Sequence, residues 1–204
     1  MGLDMYLYQV KEIKDISWLT KNEETKESKY DKKVKVTFAD GKEKELHAWH
    51  INYLYFTDET TSDYVSDITK VTSDSIVIKV WKDNGDVAEL VIPKSKIASI
   101  KFQFAYWRKA NQIHSYFVRK IQHGKDDCGD YAVTGEQLQE LVKLCRKVLS
   151  KKDENFSSEE LPTQEGFFFG SYNYDEYYYA DLKETIDQLK GVKKSEIFTY
   201  SSSW

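Results

Sequence analysis

The apolar residues that follow Phe104 recur at the spacing of an amphipathic α-helix, at Tyr106, Ala110, Ile113, Phe117 and Ile121. We predict one helix from Tyr106 to Gly124, where the glycine ends it. Between the apolar columns lie polar residues three and four positions apart, so their side chains share one adjacent face. These residues are Arg108, Asn111, Gln112 and Ser115. We expect a functional site on this face.

Two further segments have the pattern of capped amphipathic helices. The first begins at Thr134, and Gln137 stands at the return position of a capping box. Its apolar stripe consists of Leu138, Leu141, Val142, Cys145, Val148 and Leu149. The second runs from Asp175 to Lys190 and is followed by Gly191, which is a helix-ending residue. Its inward-facing residues are Tyr178, Leu182, Ile186 and Leu189.

The N-terminal half of the chain has instead the period of two that is typical of strands. A strand is predicted over residues 3–10, and the polar stretch 11–33 is predicted to be a solvated linker or a mobile loop. Two hairpins are predicted at 34–46 and 75–92, each closed by a turn that contains glycine, and a further strand at 97–104. Short strands joined by tight turns are typical of a small barrel or a twisted antiparallel sheet.

Three shorter segments complete the predicted elements. Residues 150–160 are polar and are predicted to form a loop. The run GFFFG at 166–170 is predicted to be a short strand covered on both faces, with its three phenylalanines in the core. The last four residues, SSSW, are predicted to trail off without regular structure.

These elements together predict an α+β fold. The core domain, formed by residues 1–11 and 104–204, is expected to hold three helices and a short sheet. Residues 12–103 are expected to form an inserted, small antiparallel β-barrel-like unit.

Composition limits the classes of function. With 30 basic and 34 acidic residues the chain has a formal net charge of -4, which opposes non-specific binding to nucleic acid. The N-terminus lacks the basic flank and the apolar run of a signal peptide, and no apolar segment is long enough to span a membrane. We therefore expect a cytoplasmic protein. In a reducing compartment Cys128 and Cys145 are expected to stay thiols.

Five motifs follow one another along the chain: MGLDMYL at the start, YWRKANQIH from Tyr106, DDCGDY from Asp126, LPTQEGFFFG from Leu161 and YDEYYYADL from Tyr174. They resemble a family of small, uncharacterised proteins from tailed phages and prophages. In the shorter pattern of that family the first strand leads almost directly into the YWRKAN helix, so residues 11–103 resemble an insertion. The resemblance implies a viral origin, hence the host cytoplasm, and one α+β core. It brings no established activity.

The predicted ligand-binding set is Arg108, Asn111, His114, Ser115, Tyr172, Tyr174 and Tyr177. Arginine offers a planar fork for phosphate or carboxylate, and neighbouring amide, imidazole and hydroxyl groups add hydrogen bonds. The tyrosines follow the GFFFG run and are side chains on which a nucleotide base can stack. The structural alternative is a helix face held by ion pairs, with His114 partly buried.

Two other clusters carry less specific signals. Asp126, Asp127 and Asp130 could hold a divalent cation, but their spacing is not that of an EF-hand loop, and a turn built from Asp and Gly is favoured. Cys128 invites a nucleophile-base pair with His114 or His123, for which the sequence gives no geometry.

The remaining histidines and the absence of known motifs argue against catalysis. His47 and His50 would point to opposite faces of a strand, which disfavours a shared metal ion. No P-loop, dinucleotide fingerprint, HExxH or GxSxG motif is present in the sequence. We predict no catalytic residue, no metal ion and no cofactor.

The leading functional hypothesis is a non-enzymatic phage protein, with a role in counter-defence, that binds a small anionic, nucleotide-like ligand. One alternative is an inhibitor that binds a host protein through the β-rich insertion. A small hydrolase is the other alternative. Self-association into a homo-oligomer stays open, and neither a membrane nor non-specific nucleic acid is an expected partner.

Overall fold

The computed structural model describes residues 2–16, 18–19, 33–57, 62–64, 68–81 and 85–204. The chain divides into two compact units. We call Met1–Gln9 with Phe104–Trp204 the core unit, and Val10–Gln103 the middle unit. That the middle unit is an insertion into the core unit stays a prediction.

Strands dominate the first half of the described chain and helices the second. The strands are β1 (Asp4–Glu12), β2 (Lys33–Thr37), β3 (Glu43–His47), β4 (Ile51–Phe56), β5 (Ser62–Tyr64), β6 (Ile68–Val71), β7 (Ser75–Trp81), β8 (Val87–Pro93), β9 (Ile97–Arg108), β10 (Tyr131–Thr134) and β11 (Ile197–Ser203). The α-helices are α1 (Asn111–Lys120), α2 (Gly135–Lys151), α3 (Glu154–Glu160) and α4 (Glu176–Gln188). Because β1 and β9 are long, each contributes residues to both units.

The core unit combines a sheet with all four helices. In its sheet β11 pairs antiparallel with β10 on one side and with β1 on the other, and β9 lies next to β1. Alternation along β1 turns Met5 and Leu7 to a fully buried face. Helix α2 packs against α3 and α4, and α1 packs against α4. The buried core includes Ile113, Phe117, Leu138, Leu141, Leu182, Phe198 and Tyr200.

Two helices begin with side-chain caps. Thr134 Oγ1 accepts a hydrogen bond from the Gln137 amide at 3.2 Å, and Gln137 Oε1 accepts one from the Thr134 amide at 2.8 Å. This reciprocal capping box confirms the predicted start of α2. At the start of α4 the Asp175 carboxylate accepts hydrogen bonds from the Tyr177 and Tyr178 amides at 3.0 and 3.1 Å. Both caps satisfy amides that have no partner inside the helix.

The helix predicted to begin at Tyr106 is wrong over its first residues. Strand β9 continues to Arg108, and α1 begins only at Asn111. Between them Lys109 adopts a left-handed conformation with φ of 60°, which turns the chain from strand to helix. Trp107 is buried on the strand's inner face. A short aromatic run is compatible with a period of two as well as 3.6, so hydrophobicity alone could not place this boundary.

A side chain takes the place of a neighbouring strand at Tyr106. The Gln188 side-chain carbonyl accepts a hydrogen bond from the Tyr106 amide at 2.8 Å. The Gln188 side-chain amide donates one to the Tyr106 carbonyl oxygen, also at 2.8 Å. This pair of bonds is the one that a residue of an adjacent antiparallel strand would exchange with Tyr106.

Three shorter predictions for the core unit are also wrong. The segment 150–160 contains α3, which Asp153 caps by accepting a hydrogen bond from the Phe156 amide at 2.8 Å. The GFFFG run is a turn rather than a strand. The C-terminal residues form β11, which is paired on both sides and therefore is central to the sheet.

The middle unit consists of antiparallel strands. β2 pairs with β3, β7 lies between β6 and β8, and β4 lies between β9 and β5. The two predicted hairpins are confirmed as β2–β3 and β7–β8, although residues 83 and 84 of the second turn lie outside the described residues. Of the predicted linker, Ile13 bridges to Phe38, and residues 17 and 20–32 lie outside the description.

The predicted fold class, an α+β three-helix core with a short sheet and a β-barrel-like unit, is wrong. The described residues form four α-helices. The helix that was not predicted is α3, because its polar composition is typical of a loop. They form three sheets, and none of these closes into a barrel. Barrel closure requires long-range strand pairing, which alternation within single hairpins does not specify.

Candidate functional site

Two phenylalanines at the tip of the GFFFG turn are exposed. We call residues 166–170 the aromatic loop. Phe167 is 82% exposed and Phe168 47% exposed, and their rings contact edge to face with centroids 4.2 Å apart. Phe169 is buried. The prediction that all three lie in the core is therefore wrong for Phe167 and Phe168, and a paired exposure of large apolar rings is the kind of surface feature that marks interaction sites.

The backbone of the aromatic loop is held in an unusual conformation. Phe168 has a φ of 70°, a left-handed value that costs a bulky residue about 1–3 kcal/mol. Gly170, with φ of 95°, approaches Lys109 so closely that a Cβ there would lie 3.1 Å from Lys109 Cβ and 3.2 Å from its carbonyl oxygen. Such conformations persist only where the surrounding structure enforces them.

Asn111, in the first turn of α1, fixes the loop from the protein interior. Its fully buried side chain donates hydrogen bonds to the carbonyl oxygens of Phe169 and Ser171, at 3.3 and 2.7 Å. Its side-chain oxygen accepts one from the Gln164 amide at 3.4 Å. One amide group therefore ties together residues on both sides of the exposed phenylalanines.

Two further contacts close the loop. The Tyr172 hydroxyl donates to the Gly166 carbonyl oxygen at 2.8 Å and accepts from the Gly166 amide at 3.2 Å. On the opposite side the Leu3 amide donates to the Phe168 carbonyl oxygen at 3.4 Å. The loop is thus bonded at its start, at its tip and after its end, which makes it a rigid platform for the two rings.

A partly buried network around Asp126 supports the same loop. The Asp126 carboxylate contacts His114 Nε2 at 3.0 Å and accepts hydrogen bonds from Gln164 Nε2 at 2.8 Å and from Trp204 Nε1 at 3.1 Å. Because Gln164 also bonds to Asn111 through its backbone, the network reaches the aromatic loop directly.

The protonation state of His114 follows from its partners. A carboxylate only accepts, so His114 Nε2 carries the hydrogen, and Nδ1 accepts from the Tyr200 hydroxyl at 2.6 Å. Burial lowers the pKa of His114 below its ordinary value, against the opposing effect of Asp126. His114 is therefore neutral at pH 7, and its ring packs edge to face on Phe169 with centroids 5.3 Å apart.

Two basic residues lie beside Phe168. Arg108 is 60% exposed, with Nη1 at 3.7 Å from Asp4 Oδ1. A Cβ placed on Gly2 would lie 3.2 Å from Lys109 Cε and 3.9 Å from both Arg108 Nη2 and the Phe168 carbonyl oxygen. The two cationic side chains therefore pass the same point next to the backbone of Phe168.

The predicted ligand-binding residues divide between surface and interior. Asn111, His114 and Ser115 are buried, and the side chains of the first two are engaged in the contacts described above. Arg108 is exposed and Tyr172 closes the aromatic loop.

The other two predicted residues lie near the start of α4. Tyr174 packs on Tyr178 with ring centroids 4.9 Å apart, and Tyr177 is exposed. That the seven bind a ligand stays a prediction.

The sequence does not predict the exposed phenylalanines of this site or the left-handed backbone of Lys109 beside them. The sequence predicts Phe167 and Phe168 in the core, because three consecutive phenylalanines are typical of a strand covered on both faces. The signal that favoured a turn was the pair of glycines around them. For Lys109 no sequence signal existed, since its left-handed conformation depends on contacts with residues distant in sequence.

The acidic segment after α1 is engaged in local contacts. Asp127 Oδ2 lies 2.5 Å from Lys125 Nζ, and Asp127 Oδ1 accepts from the Tyr131 hydroxyl at 2.8 Å. The hydrogen bond from Lys125 and then that from Tyr131 lower the pKa of Asp127 to about 2. Among the described residues, no three His, Cys, Asp or Glu side chains are grouped so as to hold a metal ion.

The geometry does not favour Cys128 as a nucleophile. Partial burial raises the pKa of the Cys128 thiol, so at pH 7 it stays protonated. Both ring nitrogens of His114 are already engaged, by Asp126 and by Tyr200. His114 could therefore act as a base for the thiol only by giving up one of these contacts, and a pair with His123 stays a prediction.

The two histidines of the middle unit lie closer than a strand would place them. Ala48–His50 forms a 3-10 turn, which brings the rings of His47 and His50 to a centroid distance of 5.3 Å. The prediction that they point to opposite faces assumed one strand through both residues, and that condition is not met because β3 ends at His47 and His50 lies in the 3-10 turn.

No protein-family model, no curated protein and no solved structure matches this chain. The resemblance to phage proteins rests on the five sequence motifs and stays a prediction. Within the described ranges, no helix is both long enough and apolar enough to cross a membrane.

Proposed function

We propose that this protein is a binding protein that engages a partner protein through the aromatic loop. The observation that supports the proposal is the exposure of Phe167 and Phe168 on a loop whose backbone is fixed by Asn111 and Tyr172. Large aromatic side chains that enter a pocket of a partner are typical of interface hot spots.

The rigidity of the loop favours binding. Covering an exposed phenylalanine contributes about 1.5–3 kcal/mol, and association must also offset the entropy of ordering flexible groups. In this loop the ordering has already occurred, since the left-handed Phe168 and the bonds to the flanking residues exist in the isolated chain. A partner can therefore use most of the apolar contact energy for affinity.

Other classes of partner fit less well. Nucleic acid would meet a chain of net charge -4, to which Arg108 and Lys109 beside the loop offer two basic side chains. Electrostatic attraction to a membrane surface typically uses clusters of about 4–8 basic residues. Two rings with two cations are better suited to a protein pocket.

The hypotheses from sequence stand beside this proposal. A small anionic, nucleotide-like ligand remains a prediction, for which Arg108, Tyr172 and Tyr177 offer surface side chains. Inhibition of a host protein through the middle unit also remains a prediction, as do phage counter-defence and a cytoplasmic location. A small hydrolase also remains a prediction, which the raised pKa of the Cys128 thiol and the engagement of both His114 ring nitrogens do not favour.

The proposal can be tested by selecting short random peptides, displayed on yeast, against the purified protein. Each binder is then measured against a double variant, Phe167→Ser with Phe168→Asn, in which asparagine tolerates the left-handed backbone. Tyr177→Ser removes another exposed aromatic ring and is the matched control. We expect most selected peptides to lose binding to the double variant and to keep their binding to the Tyr177→Ser variant. Binders that recognise all three proteins equally would contradict the proposal.

A further inference from the structure

We propose that the segment recognised by the aromatic loop is acidic, with an apolar side chain that contacts Phe167 and Phe168 and a neighbouring Asp or Glu that pairs with Arg108 and Lys109. This inference rests on the proposed function and specifies the chemistry of the partner. It is carried by the placement of two cationic side chains on one side of an exposed aromatic pair.

The backbone positions both basic residues. Arg108 is the last residue of β9, and the Lys109 amide donates to the Leu3 carbonyl oxygen at 2.8 Å. Leu3 in turn donates through its amide to the Phe168 carbonyl oxygen. Leu3, which fixes the backbone of Lys109, is therefore bonded to the tip of the aromatic loop, so backbone contacts hold the start of the Lys109 side chain beside the loop.

Arg108 and Lys109 are exposed, and their side chains pass a common point beside the buried Gly2. The point where a Cβ would stand is within 4 Å of Arg108, Lys109 and Phe168 together. A larger residue would have to displace the Lys109 stem at 3.2 Å. A partner's carboxylate that approaches the exposed ends of these side chains meets a guanidinium and an ammonium on the side of the loop where the Phe168 carbonyl oxygen lies.

The two cations are only weakly neutralised by the protein itself. The 3.7 Å between Arg108 Nη1 and Asp4 Oδ1 exceeds hydrogen-bonding distance, and Asp4 also accepts a hydrogen bond from the Tyr106 hydroxyl. The planar guanidinium has five N–H donors, which suit bidentate binding of a carboxylate. In the part of the chain that the structure describes, no carboxylate pairs with the Lys109 ammonium.

An exposed acidic residue precedes the loop in the chain. Glu165 is exposed and immediately precedes the aromatic loop, so the loop has an acid at its start and the basic pair beside Phe168. The charge pattern gives the partner a direction, with its acidic group on the Phe168 side. Neutralising Glu165 should not weaken binding of an acidic segment, which makes Glu165→Gln a matched control for the basic residues.

The test uses the peptides selected on the wild-type protein that depend on Phe167 and Phe168. The consensus peptide is synthesised in two forms. The acidic peptide keeps its Asp and Glu residues, and the amide peptide has Asn and Gln in their places. Binding of both peptides is measured by fluorescence polarisation to wild type, Arg108→Gln, Lys109→Asn and Glu165→Gln. Asparagine is chosen at Lys109 because it tolerates positive φ.

We expect Asp and Glu to be enriched next to the apolar position of the selected peptides. Arg108→Gln and Lys109→Asn should each weaken the acidic peptide by about tenfold, the effect of losing one charge-assisted contact. Neither variant should change binding of the amide peptide, and Glu165→Gln should leave the acidic peptide unchanged or bound more tightly. The affinity of the acidic peptide should also fall with added salt.

The outcomes separate this inference from the proposed function. Peptides that need the two phenylalanines but show no acidic preference, or that bind Lys109→Asn as tightly as wild type, would overturn the inference and leave the proposed function intact. If no selected peptide depends on the phenylalanines, the proposed function fails. A third outcome is that no selected peptide depends on the phenylalanines, while the protein binds phosphatidylserine vesicles and this binding needs Phe167 and Phe168. The partner would then be a membrane surface, and both the inference and the proposed function would be overturned.

Discussion

The side chain of Asn111 donates a 2.7 Å hydrogen bond to the carbonyl oxygen of Ser171, sixty positions later in the chain. Through this bond a residue at the start of a helix determines the conformation of a distant loop that has no regular structure. The residues that hold the aromatic loop and the residues that it exposes are therefore different sets, and their substitution should have different effects.

Asn111→Ala should destabilise the protein. The substitution leaves two carbonyl oxygens and one amide of the loop segment without their buried partner, which should lower the free energy of unfolding by about 2 kcal/mol. Urea unfolding followed by circular dichroism measures the change. Asn173→Ala, at an exposed position, is the control and should have no measurable effect. Equal stability of the two variants would mean that Asn111 does not hold the loop.

Phe168→Gly should stabilise the protein while it removes a binding side chain. Glycine relieves the left-handed strain at φ of 70° and loses only part of that gain to its greater freedom when unfolded, so we expect about 1 kcal/mol of added stability. Phe167→Gly is the matched control, because Phe167 is not among the positive-φ residues and glycine there brings only the entropic cost. Calorimetric melting of both variants decides the matter: a lower melting temperature for Phe168→Gly would contradict strain at this residue.

These two positions show what sequence patterns can and cannot establish. The start of α2, the course of α4 and two hairpins were predictable because capping residues, helical periods and glycine turns act within a few residues. The strand at Trp107, the turn at Lys109 and the exposure of Phe168 depend on partners far along the chain, such as Leu3. Local periodicity has no access to such contacts.

The candidate site was only partly predictable for the same reason. The helical spacing predicts Asn111 on a polar face and, with His114, in the ligand-binding set, and the structure places both against the aromatic loop, but from inside. A pattern identifies polar residues on a face without showing whether that face is covered. The covering elements, the loop itself and β11 with Tyr200, were the parts of the fold that sequence patterns assigned incorrectly.

His114 should make stability fall on mild acidification. Its pKa is lowered by burial, so between pH 6.5 and its folded-state pKa the unfolded chain binds a proton that the folded chain does not. The stability that the neutral His114 contributes is fully present above pH 6.5 and is lost progressively as pH falls below that value. Nitrogen NMR of the imidazole checks the premise: His114 should remain neutral with hydrogen on Nε2 at pH 7. A His114 titration midpoint at or above 6.5 would exclude this contribution.

Asp181 should act in the opposite direction. Burial raises its pKa to about 6, while Gln112 Nε2 donates to Asp181 Oδ2 at 3.0 Å. The folded chain therefore binds an extra proton between about pH 4 and 6, and the charged carboxylate is unfavourable above that range. Because the group is partly exposed, we expect Asp181→Asn to gain only about 1 kcal/mol at pH 8. The gain should vanish by about pH 4, as measured by urea unfolding across pH, and a gain independent of pH would point to a cause other than ionisation.

The bond pair between Gln188 and Tyr106 has a consequence for the behaviour of this protein at high concentration. Exposed backbone groups of a strand can recruit strands from other molecules, and that recruitment starts many aggregates. The Gln188 side-chain amide forms hydrogen bonds with the backbone amide and carbonyl of Tyr106, so these groups are not free to pair with a strand of another molecule. Gln188→Leu should leave the fold largely intact and yet make the purified protein prone to fibrillar assembly. In that case a glutamine at the end of a helix keeps the protein soluble by covering the backbone of a strand.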